Sequence, residues 1–431
     1  MSKKVILMIL NQRFLPDPRV QQEYDELTKV GYRVVVVAHL KGGEQKGYEV
    51  LRVDPYKGIS RQYNFSLWRN PKLERDVVNK LSAIGIEQVH AVHVHDLFWS
   101  FLGLRLGKVF SAKLVIDLHE NYPALIEDLS SERFEGVKQS LSRATIETIK
   151  NPWNGAVRRL VHDLCVSPSR LRRYELRMLQ ACDRFVVVVD EALERFRDEP
   201  FYSKGVVVSN TKNPLIWQHV PVRKIGEKMV ITYVGTVQDL RGLDTAILAM
   251  RFVDQAKFEL NIVGVVYGST IHEKFVGLLQ RYSITNVNLV EWLTVENAAF
   301  KFIDEAHVCI VPHKRTDLTE STVPHKLFMY MAKGRPVLVS DVAPLKRIVE
   351  TAKNGLVFEA DNSQDLAAKM REIFDDELLL HYSINGRAAA ERQFNWKHDR
   401  ARLLNMYEEI FCELPGRRLE KVNSQRSASA C

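Results

Sequence analysis

The sequence predicts an α/β fold of two doubly wound domains, in which helices cover both faces of a parallel β-sheet. Two observations carry this prediction. Short runs rich in β-branched residues alternate with segments of helical period along most of the 431 residues, which is typical of parallel βαβ units. Several of the runs, such as Val5–Leu10 and Phe185–Val189, are apolar throughout, as expected for strands that are buried on both faces.

The alternation occurs twice, and a linker that contains Asn213-Pro214 and Val220-Pro221 separates the two series. Strands of the first series are expected at Lys4–Leu10, Arg33–Ala38, Tyr48–Val53, Val89–His95, Lys113–Asp117, Arg184–Val189 and Gly205–Val208. Its helices are expected at Pro18–Val30, Pro71–Ile84, Trp99–Val109 and Arg170–Ala181. Strands of the second series are expected at Lys228–Val234, Lys257–Val263, Val287–Val290, His307–Val311, Pro336–Val339 and Gly355–Phe358. Its helices are expected at Leu243–Phe252, Ile271–Tyr282, Val295–Ile303, Val323–Lys333, Ala343–Thr351 and Gln364–Phe374.

The linker sets the predicted domain boundaries. We expect an N-terminal domain over residues 1–212, a C-terminal domain over 213–395, an amphipathic helix over 396–414 and a disordered polar tail over 415–431. Two doubly wound domains leave a cleft on which the carboxyl ends of both sets of strands converge. The segment Glu127–Ser169 is long, helical and amphipathic, and it does not fit the alternation.

The net charge of +8 is concentrated in two segments. Ser131–Arg177 carries ten basic against five acidic residues, and Gly416–Cys431 carries four against one. Basic segments on a neutral body favour an anionic partner such as a membrane, a nucleic acid or an acidic ligand, although a solvated charged face explains them equally well.

Composition and absent motifs exclude several classes of protein. The apolar runs are far shorter than the ~18–20 residues of a membrane-spanning helix, and we expect the first to be a buried strand rather than a secretory leader. The five scattered cysteines form no Cys-x-x-Cys pair, which favours a reducing cytoplasm over a disulfide framework or zinc module. The chain has no Gly-x-Gly-x-x-Gly after a strand, no P-loop and no Gly-x-Ser-x-Gly elbow, so dinucleotide, P-loop and nucleophile-elbow chemistries are not indicated.

Two segments of the second series favour a phosphate site. In Glu320–Pro336, Ser321 and Thr322 are N-cap candidates and Lys326 lies in the first helical turn, so the helix N-terminus and a cation together suit a phosphate. In Tyr233–Leu243, Gly235 ends a strand and Arg241 precedes the next helix, where a guanidinium can clamp a phosphate. The alternative for the first segment is an ordinary helix packed on its sheet.

Histidines follow two strands of the first series. His93 and His95 share one face of a strand, and with Asp96 and His119 they could hold a metal, although a structural His93 and a loop shaped by His95-Asp96 fit the pattern better. His119 follows a strand at the edge of the cleft, which favours a functional role.

Several short motifs are together specific. They are Asp17–Val20, Gly31–Val34, His93–Asp96, Asp117–Glu120, Cys182-Asp183, Val208–Asn210, Val234-Gly235, Arg241-Gly242, Pro324–Phe328, Tyr330–Gly334 and Pro336-Val337. With them, nearly the whole chain resembles the family-4 retaining glycosyltransferases of the GT-B architecture. The resemblance implies two Rossmann-like domains that face a central cleft, with the acceptor on the first domain and the donor on the second. It also implies that the helix beginning at Trp396 crosses back to the first domain.

The resemblance implies a role for each matching residue. His119, Arg241 and Lys326 would be catalytic, with Arg241 and Lys326 on the donor pyrophosphate and His119 at the reacting sugar. The donor-binding residues would be Gly235, Thr236, Arg241, Glu291, Trp292, Glu320, Ser321, Thr322, Val323, Lys326 and Met329. Residues on the acceptor side would be Arg13, Asp17, Arg19, His95, Asp96 and Glu120. No metal and no separate cofactor is expected.

Departures from the family pattern leave two further hypotheses open. The family has two glutamates eight positions apart, where this chain has Ser321 and Met329, with Glu320 adjacent; Thr236 replaces a frequent arginine. Our main hypothesis is transfer of a sugar from a nucleoside-diphosphate sugar to a polysaccharide or lipid-linked oligosaccharide, on the cytoplasmic face of the membrane and without nucleic acid. The alternatives are a non-catalytic relative that binds a nucleotide sugar or a partner in a synthesis complex, and a sugar-nucleotide epimerase.

Overall fold

The computed structural model describes residues 3–11, 18–39, 47–54, 71–130, 167–292 and 296–412. The predicted acceptor residues Arg13 and Asp17 lie outside these ranges, as do most of the basic segment and the tail. The description below concerns the described ranges.

The first sheet is parallel throughout, with the strand order β3-β2-β1-β4-β5-β6-β7. Its strands are β1 (Val5–Leu10), β2 (Arg33–His39), β3 (Val50–Val53), β4 (Ala91–His95), β5 (Lys113–Leu118), β6 (Arg184–Val187) and β7 (Gly205–Val207). Its helices are α1 (Pro18–Lys29), α2 (Pro71–Ala83), α3 (Ser100–Phe110), α4 (Tyr122–Ser130), α5 (Pro168–Ala181) and α6 (Asp190–Glu194). Every residue of β1 and β4 is buried, because helices cover both faces of the sheet.

The second sheet is also parallel, with the order β10-β9-β8-β11-β12-β13. Its strands are β8 (Met229–Val234), β9 (Phe258–Val265), β10 (Val287–Glu291), β11 (Val308–Val311), β12 (Val337–Ser340) and β13 (Gly355–Phe358). Its helices are α7 (Leu243–Ala249), α8 (Thr270–Arg281), α9 (Glu296–Glu305), α10 (His325–Ala332), α11 (Ala343–Ala352), α12 (Ser363–Glu372) and α13 (Asp376–Arg392). The predicted fold class is thereby confirmed.

Strand order reverses at one place in each sheet, between β1 and β4 and between β8 and β11. Ligands of open α/β sheets bind outside the carboxyl ends of the strands at such a switch point. His95 is the last residue of β4 at the first switch point, His119 follows the neighbouring β5, and Gly235 follows β8 at the second switch point.

The C-terminal helix α14 (Trp396–Cys412) packs on the first sheet, as predicted. Trp396, Leu403 and Tyr407 share an apolar cluster with residues of β1. The Asp399 carboxylate accepts hydrogen bonds from the Ser209 amide at 3.0 Å and the Thr211 hydroxyl at 2.5 Å. The last helix therefore fastens the end of the second domain to the first.

One local prediction is wrong, and one helix lies where none is predicted. The helix expected at Val323–Lys333, with Ser321 or Thr322 as N-cap, begins at His325, and Pro324 occupies the N-cap position, because residues 319–321 form a separate 3-10 turn. Helix α13 was not expected, because residues such as Ser383 and Gly386 stand among its buried positions and weaken the apolar period. Among the described helices, none is both long enough and apolar enough to cross a bilayer.

Candidate functional site

Gly235 ends β8 and makes room for the tip of Lys326. Its φ is +136°, a backbone conformation that favours glycine. A Cβ at this position would lie 2.6 Å from Lys326 Nζ, so a larger residue would displace the lysine tip. Lys326 lies in the first turn of α10, and its Nζ sits 3.6 Å from the centroid of the Tyr233 ring. The ammonium group is therefore held over an aromatic face at the end of β8.

A tight turn brings Arg241 to the same place. The 3-10 turn Asp239–Arg241 ends at Gly242, whose φ is +66° and whose missing side chain lets the carbonyl of Pro312 approach. Pro312 and His313 directly follow β11, and Arg241 Nη1 lies 3.2 Å from His313 Nε2. We refer to Lys326, Arg241 and His313 as the Lys326 cluster.

The Lys326 cluster is rich in unpartnered buried groups. Lys326 Nζ, Arg241 Nε and His313 Nδ1 are all buried, and none has a hydrogen-bond partner among the described residues. Burial, with repulsion from Arg241, holds the pKa of Lys326 well below its ordinary value, and no described carboxylate offsets these effects. Burial and the two cations also lower the pKa of His313. Buried cations without counter-charges are costly, and an anion would complement the charge of this cluster.

The segment before α10 is fixed by its own hydrogen bonds. The Ser321 hydroxyl donates to the carbonyl of Asp317 at 2.7 Å, and the Thr322 hydroxyl donates to that of Leu318 at 3.2 Å. Glu320 accepts a bond from the Ala343 amide at 2.8 Å and lies 3.2 Å from Arg315 Nε. Val323 is buried in the apolar core. The carboxylate of Glu320 is therefore already paired, and this geometry does not favour a sugar contact.

The other predicted donor residues differ in their exposure. Trp292 follows β10 and is 48% exposed, and a Cβ on Gly264 would lie 3.4 Å from its ring. Glu291 and Thr236 are also exposed. Met329 is partly buried and packs against the apolar core. The exposed Trp292 ring at this sheet edge is suited to stack on a base.

His119 lies at the corresponding edge of the first sheet, between two carboxylates. Its Nε2 is 3.1 Å from Asp117 Oδ2, and its Nδ1 is 3.5 Å from Asp96 Oδ1. His95 Nδ1 lies 3.3 Å from His119 Nε2. Although burial disfavours the imidazolium, Asp96 and Asp117 raise the pKa of His119 to about 9. His119 is therefore a cation at neutral pH.

Behind His119 lies a buried ion network. Arg19 binds Asp117 through Nη2 at 3.0 Å and Nε at 3.2 Å, and its Nη1 donates to the Val208 carbonyl at 2.9 Å. The Asp117 network comprises Arg19, Glu23, His93, His95, Asp117 and His119. Since Arg19 is 5% exposed and its guanidinium is fully engaged, its predicted contact with an acceptor is not favoured.

Glu23 and His93 link this network to the last helix. Tyr407 of α14 lies 2.9 Å from His93 Nδ1, and His93 Nε2 is 4.0 Å from Glu23 Oε2. Burial and the nearby Asp117 raise the pKa of Glu23 to about 7.

Glu23, His93, His95 and Asp117 have the spacing of metal ligands. However, the Arg19 guanidinium already bonds Asp117 and lies 3.2 Å from Glu23. A positive charge thus occupies the place that a metal ion would need. The geometry favours an ion network here.

The two domains meet beside His119. Burial and the nearby Asp96 raise the pKa of Glu120, and Arg241, which lies within electrostatic reach across the cleft, offsets part of that rise. Asn121 Nδ2 donates to the Asp317 carbonyl at 3.3 Å. A cavity of about 530 Å³ adjoins this contact, and its polar lining includes Asn121, Glu127, Arg172, Arg195 and Asp317.

His313, Glu23 and the cavity arginines were not predicted from the sequence. His313 comes directly after β11, as Gly235 comes after β8, so its position after an apolar strand was the available signal. Glu23 lies one helical turn after Arg19, and only the fold shows that this face of α1 is buried.

Comparisons with known proteins bear on both domains. The family model described as "Glycosyl transferases group 1" matches residues 228–376. The putative colanic acid biosynthesis glycosyltransferase WcaL of Salmonella typhimurium is 23% identical over 197 residues, which cover 44% of this chain and 48% of WcaL. The chain spans about half the length of the curated relatives it matches.

Solved structures match the whole architecture. Sucrose-phosphate synthase from Thermosynechococcus elongatus has a TM-score of 0.69 and 17% identity, with 95% of this chain and 99% of that chain covered. HepE of Anabaena, solved in complex with UDP, has a TM-score of 0.68 and 12% identity, with 94% and 100% covered. These findings establish the GT-B fold, and together with the family match they support a GT-B glycosyltransferase.

Proposed function

We propose that this protein is a glycosyltransferase that transfers a sugar from a nucleoside-diphosphate sugar to a saccharide or lipid-linked acceptor. The observation that carries the proposal is the Lys326 cluster, in which three buried polar atoms face no partner among the described residues. A diphosphate would supply the missing negative charge. The UDP bound to HepE, a protein of the same fold, supports a nucleotide ligand.

The same groups suit the chemistry of transfer. When the bond from the anomeric carbon to the diphosphate breaks, negative charge grows on the leaving phosphate. Lys326, Arg241 and the N-terminus of α10 would stabilise that charge. As in the family that the chain resembles, we expect retention of configuration and no metal, with the leaving phosphate oxygen taking the proton of the acceptor. His119, as an imidazolium, would donate a hydrogen bond to the transferred sugar.

The acceptor is proposed to enter on the first domain. The lining of the cavity begins at Asn121, two residues after His119 in the sequence, and includes polar groups that suit sugar hydroxyls. The similarity to a putative colanic acid biosynthesis enzyme supports a polysaccharide or a lipid-linked precursor as acceptor. We further propose that the basic segment Ser131–Arg177 attaches the protein to the cytoplasmic face of an anionic membrane.

A non-catalytic role is the second candidate, and one observation favours it. The Glu320 carboxylate is paired with Arg315 and the Ala343 amide, and the positions of the two family glutamates hold Ser321 and Met329. Such a protein would bind a nucleotide sugar without transferring it.

A binding and transfer screen separates these candidates. Unfolding midpoints are measured with UDP-, GDP- and ADP-sugars, since a ligand at 100 times its Kd stabilises by ~2.7 kcal/mol. Release of the diphosphate is then measured with and without acceptor oligosaccharides. Lys326→Ala should abolish the ligand-induced shift, while Lys346→Ala, at an exposed lysine, should preserve it. Binding without turnover would favour the non-catalytic candidate; a shift retained in Lys326→Ala would contradict the site.

A further inference from the structure

We propose that His313 donates a hydrogen bond from Nδ1 to the diphosphate of the donor, as a third contact beside Lys326 and Arg241. This inference rests on the proposed function and deepens it. The three groups together would recognise a diphosphate rather than a single phosphate.

The tautomer of His313 follows from its partner. A guanidinium has only N–H groups and cannot accept a hydrogen bond, so Arg241 Nη1 must donate to His313 Nε2 across their 3.2 Å separation. In a neutral ring whose Nε2 accepts, the proton resides on Nδ1. The ring is neutral because it is 1% exposed and because Arg241 and Lys326 disfavour the imidazolium and lower its pKa.

This proton has no acceptor in the unliganded site. His313 Nδ1 is buried and has no hydrogen-bond partner among the described residues. Native proteins rarely leave a buried N–H unpaired. The isolated N–H belongs to the same cluster as Lys326 Nζ and Arg241 Nε, which also have no hydrogen-bond partner among the described residues. An anion that neutralised Lys326 and Arg241 would at the same time give Nδ1 its acceptor.

The location of His313 fits this role. β11 pairs directly with β8, so the residues that follow these two strands, His313 and Gly235, lie at the same edge of the sheet. Lys326 Nζ reaches the position of Gly235. A phosphate at the end of β8 would therefore meet Arg241 from the connection that follows β8, and His313 and Lys326 from the connection that follows β11.

The competing explanation is that His313 only positions Arg241, and two variants distinguish the explanations. His313→Gln keeps a polar group near the Nε2 position, where its oxygen can accept from Arg241, but removes the donor at Nδ1. His313→Asn keeps a possible donor near Nδ1 but withdraws the acceptor from Arg241. His381→Gln, at an exposed histidine of α13, serves as the matched control.

Binding of UDP, GDP and ADP, each beside its own monophosphate, is measured by calorimetry on the full chain. We expect His313→Gln to weaken diphosphate binding about 10-fold, the usual effect of losing a hydrogen bond to a charged group. Monophosphate binding should change less than 2-fold, because one phosphate does not span all three groups. The loss in His313→Asn should be smaller than the loss in His313→Gln.

Other results overturn the inference. If His313→Gln binds the diphosphate as tightly as the unmodified chain does, His313 makes no contact with the diphosphate. If His313→Asn loses more diphosphate affinity than His313→Gln does, the ring only positions Arg241. If the unmodified chain and its Lys326→Ala variant bind every diphosphate with the same affinity, the proposed function itself fails.

A measurement on the unmodified chain covers the case in which both variants unfold. In histidine-labelled protein, the ¹⁵N signals should include a neutral ring protonated on Nδ1 whose pKa lies below that of an ordinary histidine. The Nδ1 signal of this ring should shift on addition of the diphosphate and not of the monophosphate. A spectrum in which no ring of this tautomer responds to the diphosphate would overturn the inference.

Discussion

The two sheet edges that face the cleft carry buried charges in opposite states. In the Asp117 network, Arg19 is matched by Asp117 and Glu23, and His119 by Asp96 and Asp117. In the Lys326 cluster, no described carboxylate pairs with Lys326 and its Nζ has no hydrogen-bond partner. The cations of the first arrangement have carboxylate partners, although Glu23 Oε1 and Oε2, His93 Nε2, His95 Nε2 and Asp96 Oδ1 have no hydrogen-bond partner among the described residues. In the second arrangement, the buried Lys326 has no carboxylate partner among the described residues.

This difference distinguishes buried charges that stabilise the fold from buried charges that bind a ligand. A buried ion pair adds little net stability, but removal of one partner costs several kcal/mol because the other charge is stranded. A buried charge without a counter-charge already destabilises the protein before a ligand binds. Such a group is retained where ligand binding makes use of the charge. The Asp117 network should therefore govern stability, and the Lys326 cluster should govern ligand binding.

The largest expected effects on stability and on the rate of transfer come from single substitutions in the Asp117 network or in the Lys326 cluster. Asp117→Asn removes the carboxylate shared by Arg19 and His119 and leaves Glu23 as the remaining carboxylate beside Arg19, so it should lower the free energy of unfolding by up to about 3–5 kcal/mol. Lys326→Met removes an unpaired buried charge, so the free energy of unfolding should be unchanged or higher, while the rate of transfer falls by ~10²–10³. Denaturant titrations and initial rates of both variants test this contrast.

A double variant provides the control for the stability effect. Arg19→Met combined with Asp117→Asn also removes the guanidinium and should recover part of the lost stability. If Lys326→Met lowers the free energy of unfolding as much as Asp117→Asn does, the Lys326 cluster also supports the fold and the contrast between the two edges is wrong.

The two edges should also respond to pH with opposite signs. The pKa of His119 is raised from 6.5 to about 9, so the folded state holds the extra proton and its stabilisation, complete below pH 6.5, is lost as the pH rises to 9. The pKa of Lys326 is lowered from 10.5, so the unfolded state holds the extra proton and stability rises with pH up to 10.5. His119 thus stabilises at low pH, and Lys326 destabilises there.

Difference measurements isolate each group. The free energy of unfolding of His119→Gln and of Lys326→Met is subtracted from that of the unmodified chain between pH 6 and 9.5. The advantage conferred by His119 should shrink as the pH rises, and the penalty from Lys326 should shrink over the same range. If the two differences in the free energy of unfolding change with pH in the same direction, the two edges do not respond to pH with opposite signs.

The fold could be predicted from the sequence because it is encoded in local patterns. Runs such as Val5–Leu10 are apolar at every position, and burial on both faces of a parallel sheet is the usual reason for such runs. Helix α13 was missed because residues such as Ser383 and Gly386 face the interior, where Ser383 approaches Gly334 of another element. A helix that packs through small residues lacks the apolar period by which helices are recognised.

The site could be predicted only in part, because it depends on contacts between distant residues. Gly235 and Lys326 carry a local signal, a glycine after a strand and a cation at a helix start, and their proximity is now visible. His313 is separated from Arg241 by 72 positions, and Glu23 from His93 by 70. No periodicity relates residues so far apart, so their association appears only when the sheets are assembled.

Met329 gives the smallest and most specific test of the same comparison. It lies three residues after Lys326 on α10, one helical turn away, and it is partly buried against the apolar core. Because burial is incomplete, we expect Met329→Glu to fold with a modest loss of stability. Its carboxylate would accept hydrogen bonds from the two ribose hydroxyls, which a thioether cannot do well, and should tighten UDP binding by up to about 10-fold. The affinity for 2′-deoxy-UDP should gain less, and Met329→Gln, without the charge, should gain less still. A variant that folds and binds UDP no better would assign Met329 to packing alone, and the ribose would then be held by other residues of the second domain.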